Sequence, residues 1–197
     1  MKIFRLRVNV EEYRWIHPVG GDSVWKTGLL DFMGDKKENW KPLQCYVGNL
    51  KQKTGNFYEF ASGSLVFDKA VYEGMGDILE MGGEILPLEM EEGGQLYLLN
   101  VLECINALDK GKSEWKRTPE GQKMYLTKYA FHSNRILESS LFKIPEGNYS
   151  SVLTYSGVKD TADEFKGRYE QLGLTGLIFE ELWSDDVKNM AKNMRHP

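Results

Sequence analysis

The stretch EILPLEMEEGGQLYLLNVLE, from Glu84 to Glu103, decides the fold because two apolar runs flank a short turn. The turn has the sequence EEGG at 91–94, and paired glycines favour a tight reversal between antiparallel strands. The runs are long enough for two full strands. The sequence therefore predicts a β-hairpin at the centre of the chain.

A helix is predicted directly before the hairpin, near residues 68–81. Four apolar side chains recur at helical spacing and predict one buried face: Val71, Met75, Ile78 and Leu79. Asp68 is a favourable N-cap in front of them, because its carboxylate can accept a free backbone N–H of the first turn. The glycine pair Gly82–Gly83 is expected to end the helix.

A second helix is predicted near residues 162–172. Thr161 and Glu164 have the spacing of a capping box, in which each side chain accepts the other residue's backbone N–H. The buried stripe of this helix is expected to consist of Phe165, Tyr169 and Leu172. The apolar segment LTGLIFEELW at 174–183 follows, and it is predicted to be an interior strand that the helix covers.

Further strands are predicted at the N-terminus, where apolar and polar residues alternate, and in the segments 123–131 and 139–144. Residues 11–64 are rich in glycine, lysine and aromatic residues, which predicts irregular structure and short strands packed on the main body. Strands and helices do not alternate regularly. We therefore expect a single α+β domain over residues 1–197, with a mostly antiparallel sheet on which both helices pack.

The distribution of charge changes sign in the middle of the chain. The formal net charge of the 197 residues is -4, which argues against nucleic acid as a partner. Residues 70–109 contain nine acidic side chains and no basic one, whereas residues 110–143 contain eight basic and three acidic ones. An acidic surface favours rapid binding of a basic protein.

Motifs for catalysis, metals or cofactors are not found in the sequence. The three histidines, His17, His132 and His196, stand far apart, although zinc sites need closely spaced ligands. Gly74 and Gly76 lie within the predicted helix rather than in a phosphate-binding loop. Adjacent carboxylates are interpreted as solvated turns. The sequence therefore predicts no catalytic residues, no metal and no cofactor, and it favours a binding protein over an enzyme.

The two cysteines, Cys45 and Cys104, are expected to be reduced, with Cys104 buried beside Leu102 and Ile105. The N-terminal strand has a polar residue at every second position, unlike the apolar core of a secretory signal. No apolar run approaches the roughly 20 residues that cross a bilayer. We expect a cytoplasmic protein without membrane contacts.

The order and spacing of five segments resemble immunity family eleven of bacterial polymorphic toxin systems, formerly catalogued as a domain of unknown function. These segments are LLDFM at 29–33, GGEILPLEM at 82–90, YLLNVLECINALDKGKS at 97–113, RILESSLFKIP at 135–145 and GLTGLIFEELW at 173–183. The resemblance covers most of the chain. It implies a cytoplasmic protein that neutralises a cognate toxin by tight stoichiometric binding, and it implies no catalytic residues.

Contacts with such a toxin are expected from acidic residues and from exposed aromatic side chains, because a few large anchors within a polar rim supply most binding energy. The predicted contact residues are Glu80, Glu84, Glu89, Glu91, Glu92, Asp109, Trp15, Trp25 and Trp40. The toxin surface is expected to be basic. Two alternatives stay open at this point: an enzyme, for instance a hydrolase that reverses the toxin's modification, and a small-ligand or regulatory domain.

The segment after the hairpin, from Leu98 to Trp115, is predicted to be part of the scaffold. Its apolar residues are expected in the core: Leu98, Leu99, Val101, Leu102 and Ile105. Asp109 and Ser113 are expected to shape the following turn by hydrogen bonds to nearby backbone. A direct toxin contact by Asp109 is the alternative.

Overall fold

The computed structural model describes residues 1–136 and 138–185, so His196 lies outside the described residues. The strands are β1 (Lys2–Val8), β2 (Trp15–Pro18), β3 (Leu43–Gly48), β4 (Phe57–Tyr58), β5 (Ser64–Phe67), β6 (Gly83–Met90), β7 (Gln95–Val101), β8 (Glu114–Arg117), β9 (Lys123–Lys128), β10 (Leu141–Phe142), β11 (Leu153–Ser156) and β12 (Leu177–Ser184). The α-helices are α1 (Asp22–Trp25), α2 (Lys69–Gly82) and α3 (Phe165–Gln171).

The helix α2 and the β6–β7 hairpin form as the sequence predicts. Asp68 caps α2, because its Oδ1 accepts a hydrogen bond from Val71 N at 3.1 Å, and the four predicted apolar side chains are buried. The chain passes from α2 into β6 without a loop. An ideal Cβ at Gly83 would lie 2.0 Å from the carbonyl oxygen of Asn100, so only glycine fits at this junction.

The strands are arranged in three sheets. One has the order β10-β11-β1-β12, a second has the order β2-β3-β6-β7-β5-β4, and the third is the β8–β9 hairpin alone. Between the named strands of the described residues, β3 and β6 form the one parallel pair. The predicted single α+β domain with mostly antiparallel sheet is confirmed.

Three apolar clusters hold these layers together. In the first, α2 and α3 pack between the two large sheets, with Phe57 of β4 in contact with Phe165 and Tyr169 of α3. The second covers the opposite face of the six-stranded sheet with side chains from residues 11–64, as predicted. The third fills the far face of the four-stranded sheet. Apolar side chains therefore cover both faces of each large sheet.

The predicted capping box is wrong. Glu164 instead accepts hydrogen bonds from the backbone N–H groups of the preceding loop, at Gly157 (3.0 Å), Val158 (2.6 Å) and Lys159 (2.9 Å). Thr161 begins a separate 3₁₀ turn, Thr161–Asp163. The helix α3 begins at Phe165 and is therefore shorter than the predicted 162–172.

Two further predictions about this region are corrected. Leu172 is 46% exposed rather than buried, because it follows the last turn of α3 and packs over Gly74 on the outer surface of α2. The segment 174–183 forms β12, which is an edge strand rather than an interior one, and it pairs only with β1. None of the residues of β12 is fully buried.

The two thiols lie in different environments and form no disulfide with each other. Cys45 is buried in β3, and burial raises the pKa of its thiol to about 12. Cys104 is exposed, contrary to the prediction, because the chain leaves the sheet after β7 and runs along the surface. Leu102 and Ile105 beside it are half-buried.

The prediction for the turn after residue 108 is correct for Asp109 but wrong for Ser113, whose hydroxyl bonds the backbone of Ala130, 17 residues away, rather than the turn itself. Asp109 Oδ1 accepts hydrogen bonds from the backbone N–H groups of Gly111 (3.1 Å) and Lys112 (3.2 Å), and Ser113 Oγ accepts one from Ala130 N (3.0 Å). Of the five predicted core residues, Leu98, Leu99 and Val101 are fully buried, whereas the prediction is wrong for Leu102 and Ile105, which are half-buried. In the described part of the chain, none of the helices combines the length and apolar character needed to cross a bilayer.

Candidate partner-binding site

A groove of about 400 Å³ lies where α2 leaves part of the β6–β7 hairpin uncovered. The helix supplies Tyr72 and Glu80, while the hairpin supplies Ile85, Pro87 and Tyr97. One wall of the groove is therefore helical and the other is a strand surface, and both belong to rigid, hydrogen-bonded elements. This is the setting in which a protein partner would meet a preformed surface.

Aromatic rings form the centre of the groove. The rings of Tyr72 and Tyr97 stack with centroids 4.5 Å apart and an angle of 8°, and Tyr97 stacks in turn on the buried ring of Phe67 at 6.1 Å. Tyr72 is 38% exposed, so one face of the stack is open to a partner. Gly76 lies one turn from Tyr72 on the helix, and a Cβ there would meet no atom within 4 Å, which leaves the wall open.

The charge of the groove is negative and largely uncompensated. Glu80 and Glu89 are exposed and form no ion pair with any described residue, and the same holds for Glu91 and Glu92 in the hairpin turn. The other acidic side chains of α2 differ, because Lys69 and Arg168 pair with them. Unpaired acidic side chains of the described residues therefore lie in the groove, at Glu80, and along the hairpin and its turn, at Glu89, Glu91 and Glu92.

Glu84 lines the groove but has an internal role. Its Oε1 accepts hydrogen bonds from Lys37 N at 2.7 Å and from Asn100 Nδ2 at 2.9 Å, and Asn100 is fully buried. Trp40 is tied to the same region, because its Nε1 donates to the carbonyl oxygen of Pro87 at 2.9 Å. Both residues fasten the irregular segment before β3 onto the hairpin.

The structure does not bring the remaining predicted contact residues to the groove. Trp15 lies in β2, with its ring directly over Gly48 and 4.8 Å from the ring of His17. Trp25 is half-buried and packs against Phe60 at the margin of the second cluster, on the other face of the sheet. Asp109 is engaged in its own turn. Toxin contacts by these three residues stay predictions.

The groove can accommodate a basic side chain. A guanidinium or ammonium group placed over the exposed tyrosine face would gain a cation–π contact, and Glu80 would supply a carboxylate beside it. The sequence predicts the acidic residues as contacts but not Tyr72 and Tyr97. A signal was present, since Tyr72 and Glu80 are eight residues apart and therefore lie on the same side of a helix.

A second cleft, of about 490 Å³, lies between β1 and the loop that joins β4 to β5. Arg7 and Glu59 face it together with four serines, Ser62, Ser64, Ser150 and Ser151. Glu59 is reached by solvent from the cleft, yet the surrounding protein atoms raise the pKa of its carboxyl group, and the nearby charge of Arg7 opposes this effect. The sequence analysis identified neither residue as functional.

Metal ligands do not converge in the described ranges, where no group of three or more His, Cys, Asp or Glu side chains could hold an ion. No protein-family model matches the chain, and no curated protein matches it.

Proposed function

We propose that this chain is an immunity protein that acts in the bacterial cytoplasm and neutralises a cognate toxin by stoichiometric binding. The toxin domain would present a basic surface to the groove between α2 and the β6–β7 hairpin. The observation that carries the proposal is that an open tyrosine stack lies in the same groove as the carboxylate of Glu80, which is unpaired among the described residues. The resemblance of five sequence segments to immunity family eleven supports the same function.

The chemistry of the groove suits a protein partner. Tyrosine is enriched among the residues that dominate binding energy, and here Tyr72 is both exposed and held in place by the stack on Tyr97. The acidic turn at Glu91 and Glu92 adds negative charge outside the groove. Such a surface attracts a basic partner and selects against an acidic one.

The test begins with a tagged copy of the chain expressed in its native host, followed by identification of the retained protein by mass spectrometry. The retained protein is then purified, and its toxicity is titrated with the chain. The proposal predicts full protection at one equivalent. It also predicts that Tyr72→Ala and Glu80→Lys each weaken binding by at least about tenfold.

A matched control separates a local contact from a general effect of charge. Glu11→Lys changes the net charge by the same amount as Glu80→Lys, but Glu11 is exposed and does not line the groove. Glu11→Lys should leave binding unchanged. If Glu11→Lys and Glu80→Lys lost the same amount of affinity, or if Tyr72→Ala bound as tightly as the wild type, the groove would not be the binding site.

The second candidate function is an enzyme that reverses the toxin's modification, and Glu59 is the observation that favours it. Burial raises the pKa of the Glu59 carboxyl group, and the group lies in a cleft beside Arg7, which makes it a candidate general acid or base. This function predicts protection at far less than one molecule of the chain per molecule of toxin. It also predicts that Glu59→Gln abolishes this protection. Full one-to-one protection by Glu59→Gln would exclude a catalytic role for this residue.

A further inference from the structure

A small pocket of about 200 Å³ lies beneath the hairpin formed by β8 and β9, and it shares no lining residue with the groove. The hairpin covers the pocket with Trp115 and Leu126. Arg5 of β1 and Glu146, in the loop after β10, lie on the opposite side. The pocket is therefore enclosed between the hairpin and the four-stranded sheet.

Three polar atoms of the pocket residues are buried and have no hydrogen-bond partner within the described structure: Arg5 Nε, Trp115 Nε1 and Glu146 Oε2. The side chain of Glu146 is only 7% exposed. A buried polar group without a partner is costly and therefore rare. Two donors and one acceptor in the same pocket indicate a ligand that supplies both kinds of group.

The charges of the pocket are already balanced by neighbours. Arg5 Nη1 lies 3.5 Å from Glu180 Oε2, and its Nη2 donates to Tyr129 Oη at 2.5 Å. Glu146 Oε1 lies 3.0 Å from Lys110 Nζ. A charged ligand would therefore find no unpaired opposite charge. A neutral ligand with an N–H and a carbonyl oxygen fits the three atoms that have no partner in the described structure, which are two donors and one acceptor.

The walls of the pocket favour a flat ligand. Aromatic rings come from Trp115, Tyr125 and Tyr129, and aliphatic side chains come from Ile144 and Leu153. Arg5 and Phe131 already pack against the ring of Tyr129, so Trp115 and Tyr125 supply the rings on which a planar heterocycle would stack. Within the described structure the β8–β9 hairpin pairs with no other strand and rests on the core through Trp115 and Leu126.

We infer that this pocket binds a neutral planar heterocycle of the lactam type, the chemical class to which uracil and hypoxanthine belong. The carbonyl oxygen of the ring accepts hydrogen bonds from Arg5 and Trp115, and the adjacent ring N–H donates to Glu146. This site is independent of the proposed toxin binding, because the two surfaces have no residue in common.

The test follows the indole N–H resonances of the full chain by NMR during titration with uracil, hypoxanthine and pyridone. The Trp115 signal is identified from its loss in Trp115→Phe. It should shift in a saturable way with at least one of these compounds. The Trp40 indole, which already donates to Pro87, is the internal control and should not move.

Two comparisons isolate the hydrogen bonds. Dimethyluracil keeps the ring and its carbonyl groups but has no N–H, so it should bind at least about tenfold more weakly than uracil. Glu146→Met removes the acceptor oxygen at similar side-chain size and should weaken binding of the active compound by a similar factor, as should Trp115→Phe when binding is followed by calorimetry. Lys110→Gln removes the exposed ion-pair partner but leaves the Glu146 carboxylate in place, and it should retain binding.

Several results would overturn the inference. One is the absence of a saturable Trp115 shift with all three heterocycles. A second is equal affinity for uracil and dimethyluracil, which would mean that the pocket selects only apolar volume. A third is a long-lived water contact at the Trp115 N–H that persists at saturating heterocycle, which would identify water as the partner of this donor.

Discussion

Lys143 is the residue whose environment differs most from the usual one for its type. It is completely buried, its Nζ donates to the carbonyl oxygen of Phe32 at 2.8 Å, and it forms no ion pair within the described ranges. Burial lowers the pKa of its amino group from 10.5 to about 8. A Cβ at Gly63 would lie 3.2 Å from the same nitrogen. Lys143 therefore connects the chain after β10 to the irregular segment that contains Phe32. This contact requires an ammonium group to be buried, which costs free energy.

The lowered pKa of Lys143 makes the stability of the fold depend on pH. Between pH 8 and 10.5 the unfolded chain holds a proton on Lys143 that the folded chain has released, so the free energy of unfolding rises with pH in this window. Lys143→Met removes this dependence. In urea denaturation, the stability of the wild type relative to the variant should increase by about 1 kcal/mol between about pH 7 and pH 9. If the difference in the free energy of unfolding between wild type and Lys143→Met did not change with pH, the lowered pKa of Lys143 would be contradicted.

Ser113 is a second residue with a large expected effect. It is buried, and its Oγ accepts the hydrogen bond of Ala130 N at 3.0 Å. Ser113→Ala leaves this buried N–H without an acceptor, so we expect a loss of about 1 to 3 kcal/mol in the free energy of unfolding. Ser23, an exposed serine that donates to Gly20 O, is the control: Ser23→Ala should change stability by less than about 0.5 kcal/mol. Equal effects of the two variants would contradict this role.

At the scale of single elements, α2 depends on its N-cap. Asp68 accepts hydrogen bonds from Val71 N and from Asn56 Nδ2, so it caps the helix and ties it to the loop before β4. Asp68→Ala should lower the free energy of unfolding by about 1 kcal/mol, measured by urea denaturation with circular dichroism. Asp68→Asn keeps an acceptor oxygen and should retain most of the stability. An unchanged free energy of unfolding in Asp68→Ala would contradict the role of the cap, and a loss in Asp68→Asn as large as in Asp68→Ala would show that an acceptor oxygen is not sufficient for it.

The elements that the sequence predicts well are those whose local signals agree with their tertiary setting. The helix α2 and the β6–β7 hairpin are of this kind, because spacing, cap and glycine turn all indicate the same structure. The capping box at Thr161 fails because Glu164 finds three backbone donors in the loop before it, a contact that depends on how the chain folds back. The apolar composition of β12 cannot reveal that it is an edge strand, since pairing order is a property of the whole sheet.

The candidate site was only partly predictable for a similar reason. The acidic residues of the groove are visible in the sequence as a block of like charge. Tyr72 and Tyr97 come from different elements, and their stack exists only after α2 packs on the hairpin. The same holds for Arg5, Trp115 and Glu146, which are distant in sequence and meet in one pocket. A sequence pattern predicts which side chains share one face of a single helix or strand. A binding site is formed by side chains from several helices, strands and loops.

At the scale of the whole molecule, the acidic residues of the hairpin should govern how fast the proposed basic toxin binds. Charges attract a partner over about 10 Å at 0.1 M salt, so residues outside the final contact still affect the association rate. Glu91 and Glu92 lie in the exposed turn at the tip of the hairpin, where they add negative charge outside the groove. They are therefore expected to act on the rate of encounter more than on the lifetime of the complex.

The double variant Glu91→Lys/Glu92→Lys should reduce the association rate constant with the captured toxin by about tenfold at low salt, with a smaller effect on dissociation. The difference from the wild type should shrink as salt is added, because screening removes long-range attraction. Glu11→Lys/Glu12→Lys reverses another adjacent pair of exposed acidic residues outside the hairpin, and changes the net charge equally. Stopped-flow measurements of all three proteins decide between local and global attraction. If both double variants slow association equally, net charge rather than the hairpin surface steers the toxin.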